Sequence, residues 1–119
     1  MQHVLYIFSV LCFACAIHIP AAAGYADPRT LEQYQHDLRE GAELLKQGNH
    51  ARALARFQIA IKHRPEHADG YYWIALVYSD LENFDLAASN AEKATTLDYD
   101  MSDAWLLLGQ SQMHQQKWI

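Results

Sequence analysis

The chain has 119 residues, with 9 Lys or Arg against 14 Asp or Glu and a formal charge of −5; that length suits one small domain and argues against two. Five Gly, three Pro and two Cys exclude collagen-like, disordered and disulfide-stapled classes. The acidic balance argues against a nucleic-acid partner, because neutralising phosphates takes a basic patch and none of size is present.

Residues 1–23 hold no Asp, Glu, Lys or Arg, and 18 of the 23 are hydrophobic. The apolar run from Val4 to Ile19 is followed by Pro20 and then Ala21-Ala22-Ala23-Gly24. An apolar stretch, a helix breaker and small residues make the layout of a secretory signal peptide, with cleavage expected after Ala23 or Ala26. Met1-Gln2-His3 leaves the positive charge of the leader to the terminal amine and His3. The alternative is an uncleaved helix that tethers the chain to a membrane. A spanning helix needs about 20 apolar residues, a length reached only by counting His18, Pro20 and the alanines. Cys12 and Cys15 lack the Leu three positions upstream that a lipoprotein signal carries. Both leave with the leader, so the mature chain has neither disulfide nor thiol chemistry. The expected location is the periplasm or the medium, with no membrane span after cleavage.

Beyond the leader the chain repeats itself at one fixed interval. Gly41, Ala75 and Gly109 keep that spacing, as do Leu38, Tyr72 and Leu106, Tyr71 and Trp105, Asn49 and Asn83, Ala53 and Ala87, and Ala60 and Ala94. The first helix is expected from about Leu31 to Gln47, opened by a capping box at Thr30-Leu31-Glu32-Gln33 and closed by Gly48. Asn49 then caps a second helix to about Arg64, stopped by Pro65. A third helix near Ala68–Leu81, a cap at Asn83, a fourth helix near Phe84–Leu97 and a fifth from about Ser102 follow. Tyr71-Tyr72-Trp73-Ile74-Ala75-Leu76-Val77-Tyr78 is aromatic and β-branched, and in isolation it reads as a buried strand. The register overrides that reading: a helix apolar nearly all round suits the centre of a stack, with neighbours on several sides.

These residues resemble the tetratricopeptide repeat (TPR) family, whose pattern is Trp-x2-Leu-Gly-x2-Tyr, then Ala-x3-Phe, then Pro. Trp105-x2-Leu108-Gly109 matches its opening, Ala53-x3-Phe57 with Pro65 its close, and Tyr78, Phe84 and Ala87 its middle. Four positions depart: Asp37 stands for the leading aromatic, Ala91 for Phe, Tyr99 for the terminal Pro and Gln112 for Tyr. The resemblance implies an all-α right-handed superhelix of about two and a half αα-hairpins. Its units would be 34–67, 68–101 and the partial 102–119, after a short linker and helix start at 24–33. It also implies that the first helix of each hairpin lines a concave groove. By register the groove residues are Gln35, Leu38, Ala42, Leu45 and Lys46; Asp69, Tyr72, Leu76, Ser79 and Asp80; and Asp103, Leu106, Gln110, Met113 and His114. Repeats that grip a chaperone's C-terminal carboxylate use Lys, Arg and Asn at several of these positions. Here the positions are mostly apolar or acidic, so no carboxylate clamp is expected. A protein or peptide ligand with apolar anchors and a basic residue suits them better. Leu38 and Leu45 have a second reading, as packing between hairpins.

Catalytic chemistry finds no support. His63-x3-His67 has ligand-like spacing, but Pro65 breaks the helix between the rings and no Cys or carboxylate set joins them. Both are expected as solvated turn residues, with no metal and no cofactor. Asp98, Asp100 and Asp103 lack the mid-loop Gly and closing Glu of a calcium loop and suit a helix N-terminus instead. Ser102 and Asp103 have no His partner, and no Gly-rich phosphate loop occurs. Charge is lopsided: residues 24–64 carry 7 basic and 5 acidic side chains, residues 65–119 carry 2 and 9. The last helix presents Trp105, Leu106, Leu107, Leu108 and Met113 where a solenoid end is normally polar. Either the chain is a piece of a longer repeat protein, or a second chain covers that face in self-association or complex assembly.

Overall fold

The computed structural model describes residues 27–116. The apolar N-terminal segment, with both expected cleavage sites, and residues 117–119 lie outside the described residues. Five helices follow one another: α1 (Pro28–Lys46), α2 (His50–His63), α3 (Ala68–Asp80), α4 (Phe84–Leu97) and α5 (Ser102–Gln116). The described residues contain no strand, and Tyr71–Tyr78 lies wholly within α3. Among them, no helix is long and apolar enough to cross a membrane.

The helix starts follow local chemistry. Asp27, not Thr30, caps α1: its carboxylate accepts the Arg29 N–H at 3.0 Å, and Pro28 fills the first turn, where an N–H is not needed. The Thr30 hydroxyl donates instead to the Asp27 carbonyl at 2.7 Å. The expected capping box therefore gives way to an Asp-Pro start slightly earlier in the chain. Asn49 and Asn83 cap α2 and α4 as expected, accepting the Arg52 and Leu86 N–H groups, each at 3.3 Å.

The α1–α2 and α3–α4 turns have one hydrogen-bond pattern. Gly48 donates to the Leu45 carbonyl and Asn49 to that of Leu44, both at 2.9 Å; Glu82 donates to Ser79 at 3.0 Å and Asn83 to Tyr78 at 2.8 Å. The pattern needs a left-handed residue at the corner. Gly48 supplies it at φ 75°, and Glu82, at the same place in the next unit, is forced to φ 58°.

The packing pairs small residues with large ones. A Cβ on Gly41 would lie 2.5 Å from the Phe57 ring, so only glycine lets α2 lay that ring on α1. Phe57 is fully buried and stacks on Trp73 of α3, with centroids 5.6 Å apart and planes at 15°. One core joins Leu44, Ala53, Phe57, Ile74 and Val77; the next joins Ala75, Ala88, Ala91, Leu107 and Leu108. Each helix packs on the next, α1 also touches α3 and α3 touches α5, whereas α2 and α4 do not meet. The first helices thus form a continuous inner wall and the second helices splay outside it.

Replacing Glu82 by Gly relieves the strained corner. A left-handed conformation costs an L-residue about 1–2 kcal/mol, and the added chain entropy of Gly offsets part of that gain. Urea unfolding of Glu82→Gly should show a gain of about 0.5–1 kcal/mol, and a loss would show that the Glu82 side chain holds the turn.

Candidate functional site

The inner wall α1–α3–α5 carries the residues expected in the groove, at unequal depths. Tyr72 and Leu76, at its centre, are half-buried and pack against the second core. Leu38 and Leu45 are also half-buried, packed on the first core beside Leu44, Phe57 and Val77, which is the packing role considered for them. Ala42 and Ser79 are half-buried; Gln35, Asp69, Asp103 and Gln110 are exposed. Leu106 is the most open apolar residue of the central row, at 61% exposure. Burial first, and then the Asp103 carboxylate, push the Tyr72 phenol above its usual range. Burial and then Asp69 push the Tyr34 phenol up in the same way.

Three expected groove residues have other partners. Asp80 lies 3.6 Å from His50, at the start of α2. Lys46 lies 3.8 Å from Glu43 on its own helix. His114 stacks on Phe84, with centroids 4.2 Å apart and planes at 7°, and joins the end of α5 to the start of α4. Met113 is open, at 73% exposure.

A second feature was not anticipated from sequence. An open concavity of about 640 Å³ lies along the α1–α2 seam, lined by Glu32, Gln33, His36, Asp37, Arg39, Arg56, Ile59 and His63. Asp37 is buried there. Arg56 approaches Asp37 at 3.3 Å and Glu40 at 3.1 Å, His63 approaches Asp37 at 3.7 Å, and His36 lies 3.9 Å from both carboxylates. His36, Asp37 and Glu40 bring potential ligand atoms within 4.8 Å of one another, a spacing compatible with a metal ion. The Arg56 guanidinium already bridges the two carboxylates and offsets one of their two charges, so the geometry is that of an ion-pair network between α1 and α2.

That network also corrects the reading of the histidines. His63 belongs to α2 and is half-buried over Asp37; His67 is half-buried with its ring centroid 5.1 Å from that of Tyr34. His63 is therefore not a solvated turn residue, whereas His67 stands at the turn before α3 with its side chain 39% exposed. Pro65 ends the helix only after His63 has been carried onto the seam. The available signal was Asp37 at a position that is Tyr71 and Trp105 in the later units, opposite a helix carrying Arg56 and His63.

Removing Arg56 strands a buried carboxylate. Because Arg56 is itself about a third exposed, solvent screening discounts the loss. Arg56→Ala should destabilise the chain by about 1–2 kcal/mol in urea unfolding. Arg56→Ala paired with Asp37→Tyr should recover most of that, since the pair then resembles the Tyr71 seat of the second hairpin.

Comparison with known proteins agrees with this architecture. The family model for the tetratricopeptide repeat matches residues 38–80 and again 74–118. No curated protein sequence matches the chain. Among solved structures, the TPR2B domain of yeast Sti1 in its complex with pHsp70 superposes with a TM-score of 0.69 at 23% identity, covering 72% of this chain and 69% of that one. At that identity the likeness shows a shared fold. The two family matches take in most of the described helices, and the chain belongs to the tetratricopeptide repeat family, a family of protein-interaction modules rather than of enzymes.

Proposed function

We propose that the chain is an exported interaction module that binds an extended or helical peptide along the inner wall α1–α3–α5. The observation that carries this reading is the contact of α1 with α3 and of α3 with α5, while α2 and α4 stay apart. It makes a concave surface from the first helices alone. Tyr72 and Leu76 give it a half-buried apolar floor, Leu106 an exposed anchor point, and Asp69 and Asp103 an acidic rim. Apolar anchors with a Lys or Arg between them are the complementary ligand chemistry. The fold neighbour's complex with pHsp70 supports a peptide partner in kind. Carboxylate clamps use Lys, Arg and Asn at several of the groove positions, which are here mostly apolar or acidic, and that turns the charge preference round. Export rests on the charge-free apolar leader and its small-residue cleavage sites. The units of the solenoid would be 34–67, 68–101 and 102–119.

Selection of a phage-displayed random peptide library on the immobilised chain tests this reading. The enriched peptides should carry two or more apolar residues and a Lys or Arg. Leu76→Ser and Leu106→Asp should each weaken them at least about tenfold at unchanged helicity. Enrichment of acidic C-terminal tails that ignore both substitutions would overturn it.

A further inference from the structure

Among the described residues Asp37 is the only buried carboxylate. It occupies the register position that Tyr71 and Trp105 fill with rings in the later units. A charge buried in an aromatic seat is costly unless the site supplies enough countercharge, and here it does not. Around the seam Glu32, Asp37 and Glu40 stand against Arg39 and Arg56, so with neutral histidines one negative charge is left over.

The distances show where a further cation fits. Arg56 closes on one oxygen of each carboxylate, Oδ1 of Asp37 at 3.3 Å and Oε1 of Glu40 at 3.1 Å. The second oxygens face imidazole nitrogens: Glu40 Oε2 lies 3.9 Å from His36 Nδ1, and Asp37 Oδ2 lies 3.7 Å from His63 Nε2. His36 Nδ1 is also 3.9 Å from Asp37 Oδ1. These gaps are too long for hydrogen bonds. They lie near the spacing of about 3.5 Å between two ligands of one tetrahedral zinc ion, whose bonds are about 2.0–2.2 Å. His36, Asp37 and Glu40 each offer a ligand atom within 4.8 Å of the other two. Asp37 is fixed by burial, whereas His36 and Glu40, one helical turn apart, have side chains 66% and 34% exposed and can rotate inward to close the set. The concavity of about 640 Å³ opens beside them, with room for water to complete the shell and for Arg56 to withdraw.

We propose that His36, Asp37 and Glu40 of α1 bind a divalent ion of the zinc class, with His63 of α2 positioning Asp37 through its other oxygen and Arg56 competing with the ion for the two carboxylates. One imidazole with two carboxylates is the donor set of such an ion. Calcium takes six to eight oxygens, and magnesium keeps most of its waters. The site lies on the α1–α2 seam, so it stands or falls independently of a peptide on Tyr72, Leu76 and Leu106.

Titration of the full chain with zinc chloride, read by competition with a chromophoric chelator in a non-coordinating buffer at pH 7.5, tests this. Binding should saturate at one equivalent and survive millimolar magnesium or calcium. His36→Ala and Glu40→Gln change exposed side chains, keep the fold by circular dichroism, and should each weaken zinc at least about tenfold. His50→Ala and His114→Ala should leave it unchanged. Arg56→Gln removes the competing cation, so it should tighten zinc about tenfold and make the melting temperature rise more on zinc addition than that of the parent. The proposal is overturned by absence of saturation up to about 1 mM zinc, by binding that ignores His36→Ala and Glu40→Gln, or by an Arg56→Gln chain that binds zinc more weakly than the parent.

Discussion

The stacking of Phe57 on Gly41 on one side and on Trp73 on the other joins the first hairpin internally and joins it to the second. A fully buried Phe contributes about 1.5–3 kcal/mol, and here the same ring serves two interfaces. Neither hairpin has a core without its neighbour: Leu44, Ala53 and Phe57 close on Ile74 and Val77, and Ala75, Ala88 and Ala91 close on Leu107 and Leu108. The inner wall exists because these contacts are made between successive units. Its curvature follows from the first helices touching while the second helices do not.

The middle junction is built differently from the first. Small residues dominate α4, with Ala87, Ala88, Ala91 and Ala94 all buried, so α4 comes close to α3 and α5 without interposing a ring. The bulk comes instead from Leu107 and Leu108 of α5 and from Tyr72 and Leu76. Those two inner-wall side chains thus belong both to the core and to the surface of the wall. A ligand of the kind proposed for the inner wall would press on the α3–α5 contact, and its binding would then be linked to the rigidity of the stack through the same atoms.

What the sequence reveals here depends on the distance over which each signal acts. Helix stops and starts are local, so Gly48, Asn49, Pro65 and Asn83 mark them directly; the one misplaced start arose where Thr30-x-x-Gln33 competed with Asp27-Pro28, and the Pro at N1 won. The helical state of Tyr71–Tyr78 is not local, and only the repeat register discloses it. Register also tells which residues share a helix face, but not their depth. Leu38 and Leu106 occupy equivalent positions, yet one is packed on the first core and the other is 61% exposed, because the neighbouring side chains differ. The Asp37 network was illegible for a stronger reason: its members come from two helices, and their approach at 3.1–3.9 Å depends on how α2 crosses α1.

That network and the face of α5 show two ways of treating one structural position. Asp37, Tyr71 and Trp105 share one register position in successive units, each on the side of a first helix that meets a second helix. At Asp37 the contact is ionic, with Arg56 and His63 turned towards it from α2. At Tyr71 it is mixed: the phenol donates to the Pro65 carbonyl at 3.1 Å while Lys93 lies 5.9 Å from the ring centroid. At Trp105 the side chain is held from below by Tyr99 and is open above. The sequence of contacts runs from charged and satisfied to apolar and uncovered, and the field of the chain runs with it, from slightly basic in the first hairpin to strongly acidic in the second half.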